Sequence, residues 1–199
     1  MIVLGLTGSI GMGKSTAAAL LRRLGIPVHD ADAAVHRLQA PGGAAVAPIA
    51  AAFPGTVKEG KVDRQALGRV VFADKAALKK LEAILHPLVR REEQKFIAQA
   101  RAHRRKLVAL DIPLLFETHG EQRCDHVMVV SAPRRVQLAR VMRRPGMTRE
   151  RLAGIEARQL PDLLKRARAD TVIDTGLGRR HSLQAIRRAV MKLRRHARR

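Results

Sequence analysis

The sequence predicts an α/β fold, a doubly wound parallel sheet of five strands with helices on both faces, and three observations predict it. Short apolar runs recur along the 199 residues as strand candidates: Ile2–Leu6, Pro27–His29, Leu107–Leu110, His126–Val130 and Thr171–Ile173. Helical patterns separate them, as in Thr16–Leu24, Ala132–Met142 and Arg149–Ala169, and strands alternating with helices imply βαβ units. Directly between the first strand and the first helix, Gly8-Ser9-Ile10-Gly11-Met12-Gly13-Lys14-Ser15 matches the P-loop pattern G-x-x-x-x-G-K-[ST]. Right-handed crossovers then place that loop at the carboxyl edge of the sheet, the three-layer arrangement of P-loop nucleotide-binding proteins.

The first strand delivers the loop, and its glycines let backbone N–H groups turn inward without Cβ clashes. The helix N-terminus adds its partial positive charge at the same point, so the cradle suits an anion with several oxygens, such as a triphosphate. Lys14 would reach the β/γ-phosphates, and the Ser15 hydroxyl would bind Mg²⁺.

After the second strand, His29-Asp30-Ala31-Asp32 carries two carboxylates that alternate across an extended segment. One can face the phosphates while the other holds the backbone or caps the next helix. Kinase chemistry needs one carboxylate to orient or deprotonate the attacking hydroxyl and another to fix Mg²⁺.

From about Gln39 to Arg104 the strand–helix rhythm breaks. Turn signals (Pro41-Gly42-Gly43, Phe53-Pro54-Gly55, Glu59-Gly60) precede helices whose apolar stripe includes Leu78, Leu81 and Leu85. An all-helical insertion between the second and third strands is expected, placed where an acceptor-binding subdomain could sit. His86, before Pro87, ends that stripe. A lone histidine there is by itself more often structural than functional.

The third long strand leads into Asp111-Ile112-Pro113-Leu114-Leu115-Phe116-Glu117. An acidic residue at the carboxyl end of a buried strand resembles a Walker B position, which binds Mg²⁺ directly or through water. Asp111 could equally cap a helix, and Glu117 could be a first-turn acid complementing a helix dipole. Further on, Arg140, Arg143, Arg144, Arg149 and Arg151 flank Pro145-Gly146-Met147-Thr148. Two helices meeting at that turn form a hairpin, about residues 140–160, that could close over the nucleotide as a lid. An arginine there would neutralise charge on the transferring phosphoryl group, while Arg140 and Arg151 read as solvated surface.

The chain ends on Arg179–Arg199, with nine Lys or Arg and no acid. Leu183, Ile186, Val190, Leu193 and Ala197 recur there at helical spacing, so one face packs and the basic face is solvated. The whole chain has 39 Lys+Arg against 17 Asp+Glu, a formal charge of +22. Such charge raises nucleic-acid binding as a function class. The only aromatic residues are four Phe, so stacking platforms for single strands are scarce, and the charge is spread rather than gathered in one arm. The charge reads as a solvated basic helix in an arginine-rich protein with polyanionic small substrates; incidental polyanion affinity is the alternative, and no dedicated nucleic-acid partner is expected. The single cysteine, Cys124, fits a reducing cytoplasm, and no Cys/His spacing suggests zinc. No signal peptide precedes the loop, and no segment approaches the roughly 18 apolar residues of a membrane span, so no membrane partner is expected.

Taken together, these pieces resemble the dephospho-CoA kinase family. The likeness runs through Leu6-Thr7-Gly8, Asp30-Ala31-Asp32 with His36, Val62-Asp63-Arg64 with Leu67, Val71 and Phe72, and His86-Pro87. It continues through Asp111 to Glu117, then Arg144, Thr148, Glu150, Arg158 and Gln159, and Ala169-Asp170 with Val172-Ile173-Asp174. A P-loop alone marks only a superfamily; these elements in this order are far more specific. The resemblance implies transfer of the ATP γ-phosphoryl group to the ribose 3′-hydroxyl of dephospho-CoA, the last step of coenzyme A synthesis. It implies that Gly11, Met12, Gly13, Lys14, Ser15 and Thr16 cradle ATP and that Ser15 helps hold Mg²⁺. Asp32 would act on the hydroxyl proton, with Lys14 and Arg144 as the other catalytic groups. Asp32, His36, His86, Asp111, Leu114 and Glu117 would form the dephospho-CoA side. The core would span about 1–38 and 105–199, with the CoA-binding insertion at about 39–104.

Three features depart from the family's pattern. Ser9 replaces the usual Gly, Met12 replaces a small residue, and Thr175-Gly176-Leu177-Gly178 follows Asp174 where the family has Asn and a slightly later Gly. The first two are variable positions of the P-loop pattern; the third leaves the adenine-side contacts open. The competing readings are another small-molecule P-loop kinase and a nucleotide-gated RNA-binding protein.

Overall fold

The computed structural model describes residues 1–196. The chain forms two compact units, one from residues 1–29 and from residue 100 onward, the other from Asp30–Gln99. In chain order the elements are β1 (Ile2–Thr7), α1 (Lys14–Arg23), β2 (Val28–Asp30), α2 (Ala31–Gln39), α3 (Val46–Ala52), β3 (Val57–Lys58) and β4 (Lys61–Val62). Next come α4 (Arg64–Ala73), α5 (Lys75–Ala102), β5 (Leu107–Asp111), β6 (His126–Ser131), α6 (Arg134–Met142) and α7 (Arg149–Glu156). The last three are α8 (Asp162–Ala167), β7 (Thr171–Asp174) and α9 (Arg179–His196).

The first unit is built on the parallel five-stranded sheet in the order β2-β5-β1-β6-β7. All five strands lie within a residue or two of the apolar runs that predict them. Register pairs Leu4 with Ala109 and Leu6 with Met128, so alternate residues of neighbouring strands share a face. On one face Leu4, Leu6, Ala109, Met128, Val130 and Ile173 pack against Leu20 and Leu21 of α1 and Ile186 and Val190 of α9. Burying a side chain of the leucine class contributes about 1.5–3 kcal/mol, so this layer supplies much of the core's stability. On the other face Val3, Val108, Leu110, Val127 and Val129 are also buried, and α8 packs beside β6. Strands covered on both faces read as continuous apolar runs, which is why they were legible.

The α9 stripe turns Ile186, Val190 and Leu193 inward and leaves Arg187, Arg188, Arg194 and Arg195 exposed; Ala197 lies outside the described residues. The expected continuous helix over Arg149–Ala169 is instead α7 and α8. Pro161 has no N–H for a helical bond, so the chain breaks before it and restarts with Pro161 as the α8 N-cap. Among the described residues no helix is long and apolar enough to cross a membrane.

The second unit has its own core, in which Leu38, Ile49, Phe53, Val62, Leu67, Val71 and Leu81 are buried together. Asp63 caps α4 by accepting from the N–H groups of Gln65 and Ala66 at 3.1 and 3.0 Å. The Ala66 N–H, helped by Lys58, holds its carboxyl below the usual carboxylate range. Two expectations are corrected here. The unit is not all-helical, because β3 and β4 form a hairpin whose turn residues Glu59 (φ 50°) and Gly60 (φ 71°) take the left-handed conformations a tight hairpin needs. Nor does His86-Pro87 end a helix: α5 runs through it for 28 residues. Pro87 and Ala83, whose carbonyl loses its partner, are both exposed, so water can take that bond. The apolar stripe accordingly continues into Leu88 and Val89.

Candidate active site

The loop after β1 is fixed from three sides. Thr7 Oγ1 donates to the Pro113 carbonyl at 3.0 Å, and Ile112 N–H donates to the Leu6 carbonyl at 3.0 Å, tying the loop's root to the end of β5. Gly8 lies flat on β6: a Cβ there would meet Val130 Cγ2 at 2.5 Å and the Val130 carbonyl oxygen at 2.7 Å. On the third side, Thr175 Oγ1 donates to the Met12 carbonyl at 2.7 Å.

Gly13 is the N-cap of α1, with φ 91° in the left-handed region that glycine adopts without strain. No side chain caps α1, and its first turn holds no acid. Its leading N–H groups therefore have no side-chain acceptor, and the helix dipole leaves partial positive charge there. Successive N–H groups around such a loop are what an oligophosphate requires.

Lys14 pairs with Asp111, Nζ to Oδ1 at 2.6 Å, and Asp111 is almost fully buried at the end of β5. Ser15, beside it in the first turn of α1, is exposed. No group of three or more His, Cys, Asp or Glu side chains that could hold a metal exists among the described residues. Mg²⁺ at a nucleotide site takes one or two protein oxygens and completes its shell with phosphates and water. A hydroxyl at the open N-terminus of α1 and a carboxylate beside the loop lysine are hard oxygen donors of that kind, so the residues fit the ion.

Arg140 is not the solvated side chain expected of it. It is half-buried, donates to Thr175 Oγ1 at 3.0 Å and to the Thr175 carbonyl at 2.7 Å, and reaches the Gly11 carbonyl at 3.4 Å. Thr175 and Arg140 together brace the loop, a role that charge and spacing on α6 did not reveal. Arg151 is exposed as expected and donates to the Gly146 carbonyl. Arg144, just past the end of α6, is exposed, as is Leu114. Arg134 pairs with both Glu156 carboxylate oxygens, which raises its pKa above the ordinary value.

Glu117 does not sit in a helix, because residues 113–119 form successive turns. Its Oε1 accepts from the Leu160 N–H at 2.7 Å and lies 2.9 Å from Nζ of Lys165, a fully buried lysine. The carboxylate thus anchors the junction of α7 and α8. A lysine within Leu163-Leu164-Lys165 gave no sequence signal of burial. A cavity of about 580 Å³ lies beside the loop, lined among others by Ser9, Met12, Ser131, Gln137, Gln159 and Asp162.

The remaining predicted residues belong to the Asp30–Gln99 unit. Asp30 is the N-cap of α2, its Oδ1 accepting from the Ala33 N–H at 2.9 Å. That cap starts the helix at Ala31, so Asp32 lies in its first turn and not in an extended segment. Asp32 and His36 are one turn apart on one face of α2, both exposed. Arg64 Nη1 lies 3.0 Å from His36 Nδ1. His86 is exposed on α5.

A family model described as dephospho-CoA kinase matches residues 2–178. A curated dephospho-CoA kinase of Paramagnetospirillum magneticum is 68% identical over 83% of this chain and 78% of its own. Among solved structures, a Thermus thermophilus protein superposes with a TM-score of 0.84 at 41% identity, covering 96% of each chain. A dephospho-CoA kinase from Campylobacter jejuni gives 0.72 at 25% identity, covering 98% of each.

Proposed function

The chain belongs to the dephospho-CoA kinase family, and from that premise we infer how its residues divide the reaction. It is an ATP-dependent phosphotransferase acting on dephospho-CoA. The γ-phosphoryl group goes to the ribose 3′-hydroxyl, giving ADP and CoA. The observation that carries this reading is the uncapped N-terminus of α1 behind a left-handed Gly13, with Lys14 and the buried Asp111 beside it.

Backbone N–H groups from Gly11 to Thr16 bind the triphosphate. Lys14 exchanges part of its contact with Asp111 for the β/γ-phosphate oxygens, two anionic partners of one ammonium. Ser15, with the Asp111 carboxylate beside the loop, would hold Mg²⁺, which would supply charge neutralisation at the phosphate oxygens. Arg144 of the lid, about residues 140–160, adds positive charge at the transferring group. Asp32 orients the 3′-hydroxyl and accepts its proton, while Asp30 is occupied as a helix cap. The insertion, about residues 39–104, serves the acceptor with His86; His36 on the Asp32 face of α2 is held by Arg64. Leu114 offers exposed apolar surface to the acceptor, and Glu117 contributes by holding the chain that borders it. Little covalent work falls to the protein, so catalysis is positioning and charge stabilisation. The substrates are water-soluble and the single Cys124 fits a reducing compartment, which supports a cytoplasmic location.

A panel of acceptors in a coupled ADP-release assay tests the reading. Dephospho-CoA is expected to stimulate release in the presence of Mg²⁺, with shikimate, adenosine and nucleoside monophosphates near background. Equal stimulation by a monophosphate, or salt-sensitive RNA binding without turnover, contradicts it.

A further inference from the structure

We propose that Gln137 and Gln159 are positioning residues for ATP, holding the two peptide groups that flank Ile10 in the phosphate loop. The Ile10 N–H donates to Gln159 Oε1 at 3.1 Å, and Gln137 Nε2 donates to the Ile10 carbonyl at 2.8 Å. The backbone polarity dictates both amide orientations, because the N–H of the Ser9–Ile10 peptide demands an oxygen and the carbonyl of the Ile10–Gly11 peptide demands an N–H. Ile10 immediately precedes Gly11, where the loop turns left-handed (φ 77°), and the Met12 N–H to Ser9 carbonyl bond at 3.1 Å encloses it. Fixing these two successive peptides therefore fixes the direction in which the loop enters its phosphate-binding half.

Both glutamines are themselves held. Gln137 is buried at 3% exposure, and its Oε1 accepts from Arg134 Nη1 at 2.6 Å. Its Nε2 also lies 3.3 Å from Glu156 Oε1, and Glu156 pairs with Arg134. Gln159 occupies the break between α7 and α8, next to Leu160, whose N–H is fixed by Glu117. The end of the lid and the phosphate loop are thus joined through one hydrogen bond, so the state of the α7–α8 junction is felt by the triphosphate cradle. Neither the P-loop pattern nor Lys14 accounts for these residues.

The assignment rests on the loop being the ATP cradle, and turnover by the unmodified enzyme tests that separately. Four variants test the clamp: Gln137→Met and Gln159→Met remove each hydrogen bond at similar side-chain length, and Gln137→Glu and Gln159→Glu set the two against each other. Each Met variant is expected to raise the KM for ATP about tenfold, the cost of leaving one peptide group unsatisfied, with the KM for dephospho-CoA within about twofold. Gln159→Glu keeps an acceptor for the Ile10 N–H. Gln137→Glu places a carboxylate against the Ile10 carbonyl and Glu156. Both add one negative charge beside Ile10, so its repulsion of ATP is common to the pair. The KM for ATP of Gln137→Glu should exceed that of Gln159→Glu by about tenfold, with thermal midpoints recorded for all four. Equal values for the two Glu variants, or Met variants that lose thermal stability while both KM values move together, overturn the proposal. If the Gln137 variants do not fold, Gln159→Met alone decides: an unchanged KM for ATP in the folded variant is the contrary result. An inactive unmodified enzyme would instead remove the underlying reading.

Discussion

Asp32→Asn is expected to lower kcat by about 10²–10⁴, the usual contribution of a positioned acid or base. The substitution keeps the size and hydrogen-bonding outline of the side chain and removes only its basic, charged carboxylate. ATP affinity should change little, since the cradle from Gly11 to Thr16 is untouched. Asp30→Asn should cost less in kcat, because its carboxylate is engaged with the Ala33 N–H at the start of α2 and asparagine caps helices nearly as well. Rates and ATP affinities of both variants, with circular dichroism to confirm folding, separate the roles. If Asp30→Asn is the more damaging, or if Asp32→Asn chiefly abolishes ATP binding, the base has been assigned to the wrong carboxylate.

Lys14→Ala should lower turnover about a hundredfold or more, a loss of at least roughly 2.7 kcal/mol of transition-state stabilisation. The ammonium is the charge nearest the β/γ-phosphates. Its pairing with Asp111 at 2.6 Å adds a second consequence: without it, the buried Asp111 carboxylate loses the ammonium against its Oδ1 and repels the phosphates more strongly. Lys14→Ala/Asp111→Asn should therefore recover part of the lost ATP affinity while staying deficient in kcat. Near-normal turnover in a folded Lys14→Ala variant would rule out this loop as the catalytic cradle.

The elements legible in the sequence were those whose signal is local. Each sheet strand is a short apolar run because both its faces are covered, and the loop glycines and Lys14-Ser15 carry their geometry in a fixed spacing. The cap at Asp30 was legible as one of two alternatives, because a carboxylate just before a helical run has few other local uses. What escaped depends on partners distant in sequence. Arg140 looks like any surface arginine until Thr175, 35 residues later, comes within reach. Lys165 is buried because Glu117, on a turn before β6, meets it there. The Gln137 and Gln159 contacts to Ile10 span more than a hundred residues each. The missed hairpin β3–β4 has strands of only two residues, too short for any period to register. Pro87 misled for a different reason. Its rule describes the helix's own hydrogen bonds, and here the lost bond faces water while Leu81, Leu85 and Leu88 hold the helix from the core side.

The most direct test is to identify the product formed from dephospho-CoA and ATP carrying an ¹⁸O-labelled γ-phosphoryl group, using mass spectrometry and ³¹P NMR. The expected product is CoA with the labelled phosphate as a monoester on the ribose 3′-oxygen, formed together with one equivalent of ADP. Labelled inorganic phosphate with unchanged dephospho-CoA, or label at any other position of the acceptor, would contradict the assigned reaction.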